Sequence, residues 1–259
     1  MQKIGDIISK HLNCNPNMNN FSLSIIIPVY NEAFRLQRTF VELSNFLSAH
    51  SDFHTEIIFV NDGSSDNSTK LINDFISINP CRVKLINNDI NRGKGYAVRC
   101  GMKNSSGLYC LMVDADMSTP MSEMDNFLTY LPDNSKSIII GSRKGVDALM
   151  IKKQPWYRQK IGEIYAILAS VLTGLSIKDY GCGFKLFPRE VVDNIFKCAI
   201  INRWTFDTEI LYIAKKLKYP IIEVGVRWTD DRATKVRLLK DIIQSGLDLI
   251  RIVIIHRNK

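Results

Sequence analysis

An α/β fold, with a mostly parallel and doubly wound sheet flanked by helices, is predicted by three features of the chain. Short apolar runs alternate with helix-like segments through the first half, which is the rhythm of βαβ units. Each run ends in a polar, turn-forming cluster, as expected where ligands sit beyond the carboxyl ends of parallel strands. With 259 residues, 46% of them hydrophobic, the chain can bury the core of one large domain or of one domain with an appendage.

Taken in order, residues 1–20 hold Lys3, Asp6, Lys10 and a run of asparagines, so they match neither a secretory signal nor a membrane span. A short amphipathic segment and a loose linker are expected there, with the main domain over residues 21–235 and an amphipathic helix over 236–259. Strands are expected at Leu23 to Val29, Glu56 to Asn61, Val83 to Asn87, Leu108 to Val113 and Ser137 to Gly141. Their ends read PVYNE, NDGSSD, NDINRGKG, DADMSTP and GSR, and five strand ends would converge on one rim. A cationic loop from Lys144 to Lys160 then precedes an apolar helix at about Ile161 to Leu175 and the segment KDYGCGFKLFPRE. A further helix from near Thr205, a strand at Ile221 to Val226 and a last helix from about Arg237 complete the reading. That last helix mixes Ile and Leu with Lys240, Asp248, Arg251 and Arg257, which suits either packing on the core or lying in a membrane interface. No stretch of ~18 uninterrupted apolar residues occurs, so membrane contact is expected to be peripheral.

Net charge is +8 with a pI near 9.1, which suits anionic partners without choosing among sugar nucleotides, phospholipids and nucleic acid. The six cysteines are scattered, with no CxxC pair to suggest zinc; several lie in apolar runs, as buried reduced thiols do in a cytosolic protein.

Asp114 and Asp116 follow the apolar run Leu108 to Val113, and two carboxylates one position apart at a strand end can hold Mg²⁺ or Mn²⁺ together with substrate phosphates. The plain alternative is a solvated turn with Pro120 opening a helix. Asp62 at the second strand end could accept hydrogen bonds from a ribose or base, or the NDGSSDNST stretch could simply be a turn with Ser65 or Asp66 capping a helix. Gly93 and Gly95 around Lys94 suit an anion at a helix start, yet the motif is neither a Walker A loop nor a dinucleotide fingerprint. Asp179 and Lys185 flank a Gly-Cys-Gly turn, and Asp207 and Glu209 open a helix, where acids ordinarily complement the dipole. Arg143, Lys152, Lys153, Arg158 and Lys160 form either a solvated basic face or, through Arg143 and Arg158, a phosphate grip.

Together and in this order, PVYNE, VNDGSSD, NRGKGYAVRCGM, DADMSTP, GSR, CGFKLFPRE and RWTFDTEILYIAKK resemble the inverting GT-A glycosyltransferases that act on polyprenyl phosphates, from about Ser22 to Asp248. The dolichyl-phosphate β-glucosyltransferases are the nearest branch and the mannosyltransferases a more distant one. The resemblance implies that Pro28, Tyr30 and Glu32 contact the nucleotide, that Asp62 reads base or ribose, and that Lys94 lies near the nucleotide. It implies a metal and diphosphate site at the DXD motif of Asp114 and Asp116, with Ser118 where mannosyl relatives tend to have a glutamine ligand. Arg143, Arg158 and Lys185 match cationic positions toward the acceptor phosphate, Asp179 and Asp207 match acids lining the site, and Trp204 and Phe206 shape the sugar pocket or pack beneath it. The family usually has Asp at Asn61 and Gln at Gly181, and its glucosyl branch begins with a spanning helix not seen here.

The implied reaction is metal-dependent, inverting transfer of a hexose, glucose from UDP-glucose in the first instance, to dolichyl or another polyprenyl phosphate, at the cytoplasmic face of a membrane (the endoplasmic reticulum in a eukaryote). The alternatives are GDP-mannose as donor, a soluble glycan or protein hydroxyl as acceptor, or a non-catalytic nucleotide-sugar binding module. Nucleic acid is not an expected partner, because no motif for it occurs.

Overall fold

The computed structural model describes residues 22–131, 134–145, 147–152, 155–230 and 238–257. The expected amino-terminal segment at 1–20 lies outside the described residues, as does Lys153. The side chain of Arg158 is likewise not described.

Nine strands and eight helices follow in the order β1 (Ser22–Val29), α1 (Ala33–Ala49), β2 (His54–Asp62), α2 (Ser68–Ile78), β3 (Val83–Asn88), α3 (Lys94–Lys103), β4 (Tyr109–Met112) and α4 (Glu123–Leu128) among the described residues. Then come β5 (Ile138–Ser142), β6 (Leu149–Lys152), α5 (Trp156–Thr173), β7 (Lys185–Pro188), α6 (Arg189–Cys198), α7 (Phe206–Lys216), β8 (Ile221–Gly225), β9 (Arg227–Thr229) and α8 (Leu238–Ile255). Seven strands form the main sheet in the order β3-β2-β1-β4-β7-β5-β8, and β6 and β9 pair separately.

The predicted parallel sheet is present with one exception. β7 runs antiparallel to both β4 and β5, while the other neighbouring pairs of the main sheet are parallel. Because it runs against its neighbours, its first residue, Lys185, pairs with Met112 at the rim where the parallel strands end. That reversal is what carries the CGFK segment to the same edge as DADMSTP.

Alternation along β1 divides the core between the two faces of the sheet, as a period of two demands. Leu23, Ile25 and Ile27 join Leu36, Leu43, Phe59 and Phe127 on one side, and Ile26 joins Met112, Phe187, Val191 and Ile210 on the other. On α1 the buried residues Leu36, Thr39, Leu43, Phe46 and Leu47 form one helical stripe. Each fully buried Ile, Leu or Phe of this kind contributes about 1.5–3 kcal/mol relative to exposure. The five described cysteines are all free, and three of them, Cys81, Cys100 and Cys198, retain some exposure.

The last two long helices differ from the rest. α5 leaves Ile164, Ile167, Leu168 and Val171 exposed, and α8 leaves Ile243, Leu247, Ile250 and Ile254 exposed. α8 nevertheless buries Leu249 and Ile252 on the core, so the two expectations for it, core packing and an outward apolar face, describe two sides of one helix. Among the described residues no helix is long and apolar enough to cross a membrane.

Candidate active site

The rim is assembled by loops that satisfy one another's backbone groups. Beyond β1 and β2, the N–H of Asn31 donates to Ser64 Oγ (2.9 Å), that of Glu32 to Ser68 Oγ (2.9 Å) and that of Ala33 to Asp66 Oδ2 (3.0 Å). Asn31 Oδ1 in turn accepts from Ser65 N at 2.8 Å. Asp66 also accepts from Ser68 N, the first residue of α2, while the cap position itself is Asn67, which makes no side-chain cap bond. Tyr30 and Glu32 stand on this loop, Glu32 paired with Arg35 at 2.6 Å. Pro28 lies within β1 opposite Val60.

Asp62 is only 2% exposed. Its carboxylate accepts from Asn88 Nδ2 (2.9 Å), Arg92 N (3.1 Å) and Gly93 N (2.7 Å). The anion at the start of α3 is thus the protein's own Asp62, and Gly93 reaches it with a φ of 108° that a side chain would resist. Asn61, where the resembled family has Asp, donates to Thr69 Oγ1 and Asn87 Oδ1 and accepts from Ser64 N. A carboxylate could accept from the Thr69 hydroxyl but could not donate to Asn87 Oδ1, so the amide suits this position.

Three ion pairs meet at the centre. Lys94 Nζ lies 2.5 Å from Asp114 Oδ1, Arg143 grips Asp179 through Nε and Nη2 at 2.6 Å each, and Lys185 Nζ lies 2.5 Å from Asp207 Oδ1. Burial pushes the Asp179 carboxyl up, but Arg143 outweighs it and holds the group at about 2. Burial pushes Asp207 up, against the pull of Lys185 and Lys94. Lys94 is itself held protonated by Asp114 and Asp207 against the effect of its burial.

Lys185 requires a correction. Read from the sequence as a cation facing the acceptor phosphate, it has no exposed surface, and its three protons go to Tyr180 O (3.0 Å), Cys182 O (2.5 Å) and Asp207. It braces the Gly-Cys-Gly turn from beneath, so it cannot meet a ligand. Ser118 is also engaged: its N–H donates to Asp116 Oδ1 at 2.9 Å and its carbonyl accepts from Thr229. Phe206 is buried under the site whereas Trp204 stands at its edge, half exposed.

The two rim aspartates suit a hard divalent cation. Asp116 is pushed above the usual carboxylate range by burial and then by the neighbouring Asp114 charge, an electrostatic demand that a cation would answer. A Cβ on Gly183 would overlap the Asp114 carboxylate, so glycine there opens the cradle in which that group sits. No group of three or more His, Cys, Asp or Glu side chains forms a metal cluster among the described residues. Two carboxylates leave the other positions of an Mg²⁺ or Mn²⁺ to diphosphate oxygens and water, which is the usual division for such ions.

A cavity of about 700 Å³ adjoins this centre. Lys94, Asp114, Arg143, Asp179 and Asp207 line its charged end, and Ile164, Leu168, Ile242 and Leu249, from α5 and α8, line its apolar end. Sequence reasoning missed Tyr165 and Trp228, which also line it. Tyr165 shares a 2.5 Å hydrogen bond with Thr208, and Trp228 lies 5.3 Å beneath the Arg143 guanidinium. Tyr165 lies in a segment whose pattern marks only a helix, and Trp228 lies just past the strand expected at Ile221 to Val226.

The model of glycosyl transferase family 2 matches residues 24–196. The chain belongs to that family. This glycosyltransferase is 39% identical to a dolichyl-phosphate beta-glucosyltransferase of Dictyostelium discoideum, over 93% of this chain and 76% of the relative. It is 34% identical to the human dolichyl-phosphate beta-glucosyltransferase, over 88% and 74% of the two chains. Among solved structures, glucosyl-3-phosphoglycerate synthase from Mycobacterium tuberculosis matches with a TM-score of 0.66 at 15% identity, over 97% of this chain and 83% of that one. A complex of that synthase with Mn²⁺, UDP and glucosyl-3-phosphoglycerate gives a TM-score of 0.63 at 15% identity, over 97% and 82%. The glycosyltransferase therefore has the GT-A fold expected from its motifs.

Proposed function

We propose that this glycosyltransferase moves glucose from UDP-glucose to dolichyl phosphate or another polyprenyl phosphate, with inversion at the anomeric carbon. The observation that carries the reading is the cavity: its charged end touches Asp114, and its apolar end lies between two helices that keep exposed Ile and Leu. Such a cavity suits an acceptor with a phosphate head and an isoprenoid tail. The names of the relatives from Dictyostelium discoideum and human supply the same acceptor and sugar.

In this reading the nucleotide occupies the rim near Pro28, Tyr30, Glu32 and Asp62, where Asp62 holds the loop that carries Lys94. Asp114 and Asp116 would hold Mg²⁺ or Mn²⁺, which when bound stabilises the charge developing on the departing diphosphate. Lys94, charged and next to Asp114, adds a fixed cation on the same side. Arg143, oriented by Asp179, and Lys144 and Lys178, both lining the cavity, can draw the acceptor phosphate to its charged end. A phosphate monoester, with a second pKa near ~6, is already largely dianionic at neutral pH and needs no base to attack. In keeping with this reading, no histidine among the described residues lines the cavity, and Asp179 and Asp207 both pair with cations. The exposed faces of α5 and α8 would rest in the headgroup region of a membrane, peripheral to its cytoplasmic side.

The test is transfer by the purified protein from labelled UDP-glucose, with Mg²⁺ and a polyprenyl phosphate, into an organic phase. Label that stays aqueous across several polyprenyl phosphates and nucleotide sugars would sink the reading.

A further inference from the structure

We propose that the buried Glu209–His256 pair is a positioning clamp that sets the rotation of α8 as a wall of the acceptor cavity. The proposal rests on the acceptor reading above and says which device makes that cavity.

Neither residue has exposed surface. Glu209, in the first turn of α7, accepts from Ile200 N (3.0 Å) and Ile201 N (2.8 Å), and lies 2.9 Å from His256 Nε2. A carboxylate only accepts, so Nε2 carries a proton, and His256 Nδ1 has no partner among the described residues. A buried polar atom without a partner is a cost to folding that a leucine at this position would avoid. The pair is therefore poorly explained as a device for stability alone.

What it can supply is register. α8 carries Ile and Leu on both its inner and outer faces: Leu249 and Ile252 point to the core, and Ile243, Leu247, Ile250 and Ile254 point away. Apolar burial by itself hardly distinguishes one rotation of such a helix from the next. One buried polar partner does distinguish them, as a lone polar residue fixes register in a coiled coil. The rotation matters because Gly246 lines the cavity and a Cβ there would meet nothing within 4 Å. A turn of the helix by one residue would bring Leu247 toward that opening and fill it. Glu209 is also two residues from Asp207 and grips the start of the loop that carries Trp204, so the clamp ties the apolar wall to the charged end.

The experiment compares wild type, His256→Leu and His256→Gln in steady-state transfer, since Gln keeps an N–H donor and Leu does not. For His256→Leu the acceptor KM should rise about tenfold while the UDP-glucose KM stays within about twofold, and Gln should recover most of the loss. Unchanged acceptor KM, or equal rises in both KM values, would overturn the clamp. If His256→Leu does not fold, Glu209→Gln and His256→Asn disturb the same pair: an acceptor-selective rise in KM of about threefold or more in either supports the clamp, and unchanged acceptor KM in both overturns it. A wild type that transfers to no polyprenyl phosphate refutes the acceptor reading instead. The clamp is then judged by amide hydrogen exchange over residues 242–256, which should quicken in His256→Leu and return to normal in His256→Gln; equal exchange in all three proteins overturns it.

Discussion

Asp179 shows how much of this site is structural support for a few exposed atoms. Its carboxylate is nearly fully buried and accepts from the backbone N–H, Nε and Nη2 of Arg143. Replacing it by Asn removes the charge opposite Arg143, whose side chain is 22% exposed at the cavity, and should cost about 1–3 kcal/mol in urea unfolding. The pH dependence has a definite sign. With its carboxyl held at about 2, below the ordinary 3.8, Asp179 stabilises the fold fully above about pH 4 and loses that contribution as pH falls through about 2. The Asn variant should therefore lose less stability than wild type between pH 4 and pH 2, measured by urea midpoints. Asp116 is the opposite case. Its charge is disfavoured by burial and by Asp114, so Asp116→Ala should leave thermal stability unchanged or higher while kcat falls by at least about a hundredfold. An Asp116→Ala enzyme with normal kcat would remove the metal assignment.

At the scale of elements, the outward faces of α5 and α8 carry the membrane argument. Leu247, Ile250 and Ile254 share the outer side of α8 and are all exposed. Changing the three to Ser should sharply reduce co-sedimentation with liposomes while UDP binding, measured by calorimetry, stays the same. Equal sedimentation would leave α8 as a helix of the core alone. These helices were legible in the sequence because their apolar periodicity is strong, as were β1 to β5 from their short apolar runs. β7 was not: Lys185–Pro188 is four residues long, and it becomes a strand only by pairing with Met112 and Ile140 far away in the chain. The same limit governs the site. Asp114, Lys94 and Asp179 could be marked as chemistry-bearing from their turns, but that Lys185 pairs with Asp207 depends on the antiparallel strand on which it sits. Lys185 was misread for this reason, since nothing local distinguishes a lysine beneath a turn from one in front of it.

For the whole molecule, the net charge of +8 and the apolar faces make separable contributions to membrane binding. Lys144 and Lys178 line the cavity, and Lys152 and Lys160 are exposed on the segment leading into and through the start of α5. Near an anionic leaflet each such cation contributes on the order of 1 kcal/mol, an attraction that extends only about a Debye length, ~10 Å at 0.1 M salt. Burial of Ile and Leu in the interface carries no such salt dependence. Anionic vesicles should therefore retain several-fold more protein than neutral ones at about 0.1 M salt, and the difference should vanish by about 0.5 M, leaving the weaker apolar binding in place. The serine-substituted α8 should show the reverse, with its remaining binding confined to anionic vesicles at low salt. Sedimentation that ignores both lipid charge and salt would assign the attachment to the apolar faces alone. If wild type fails to sediment with either vesicle, the membrane reading falls, and the acceptor would have to reach the cavity from water.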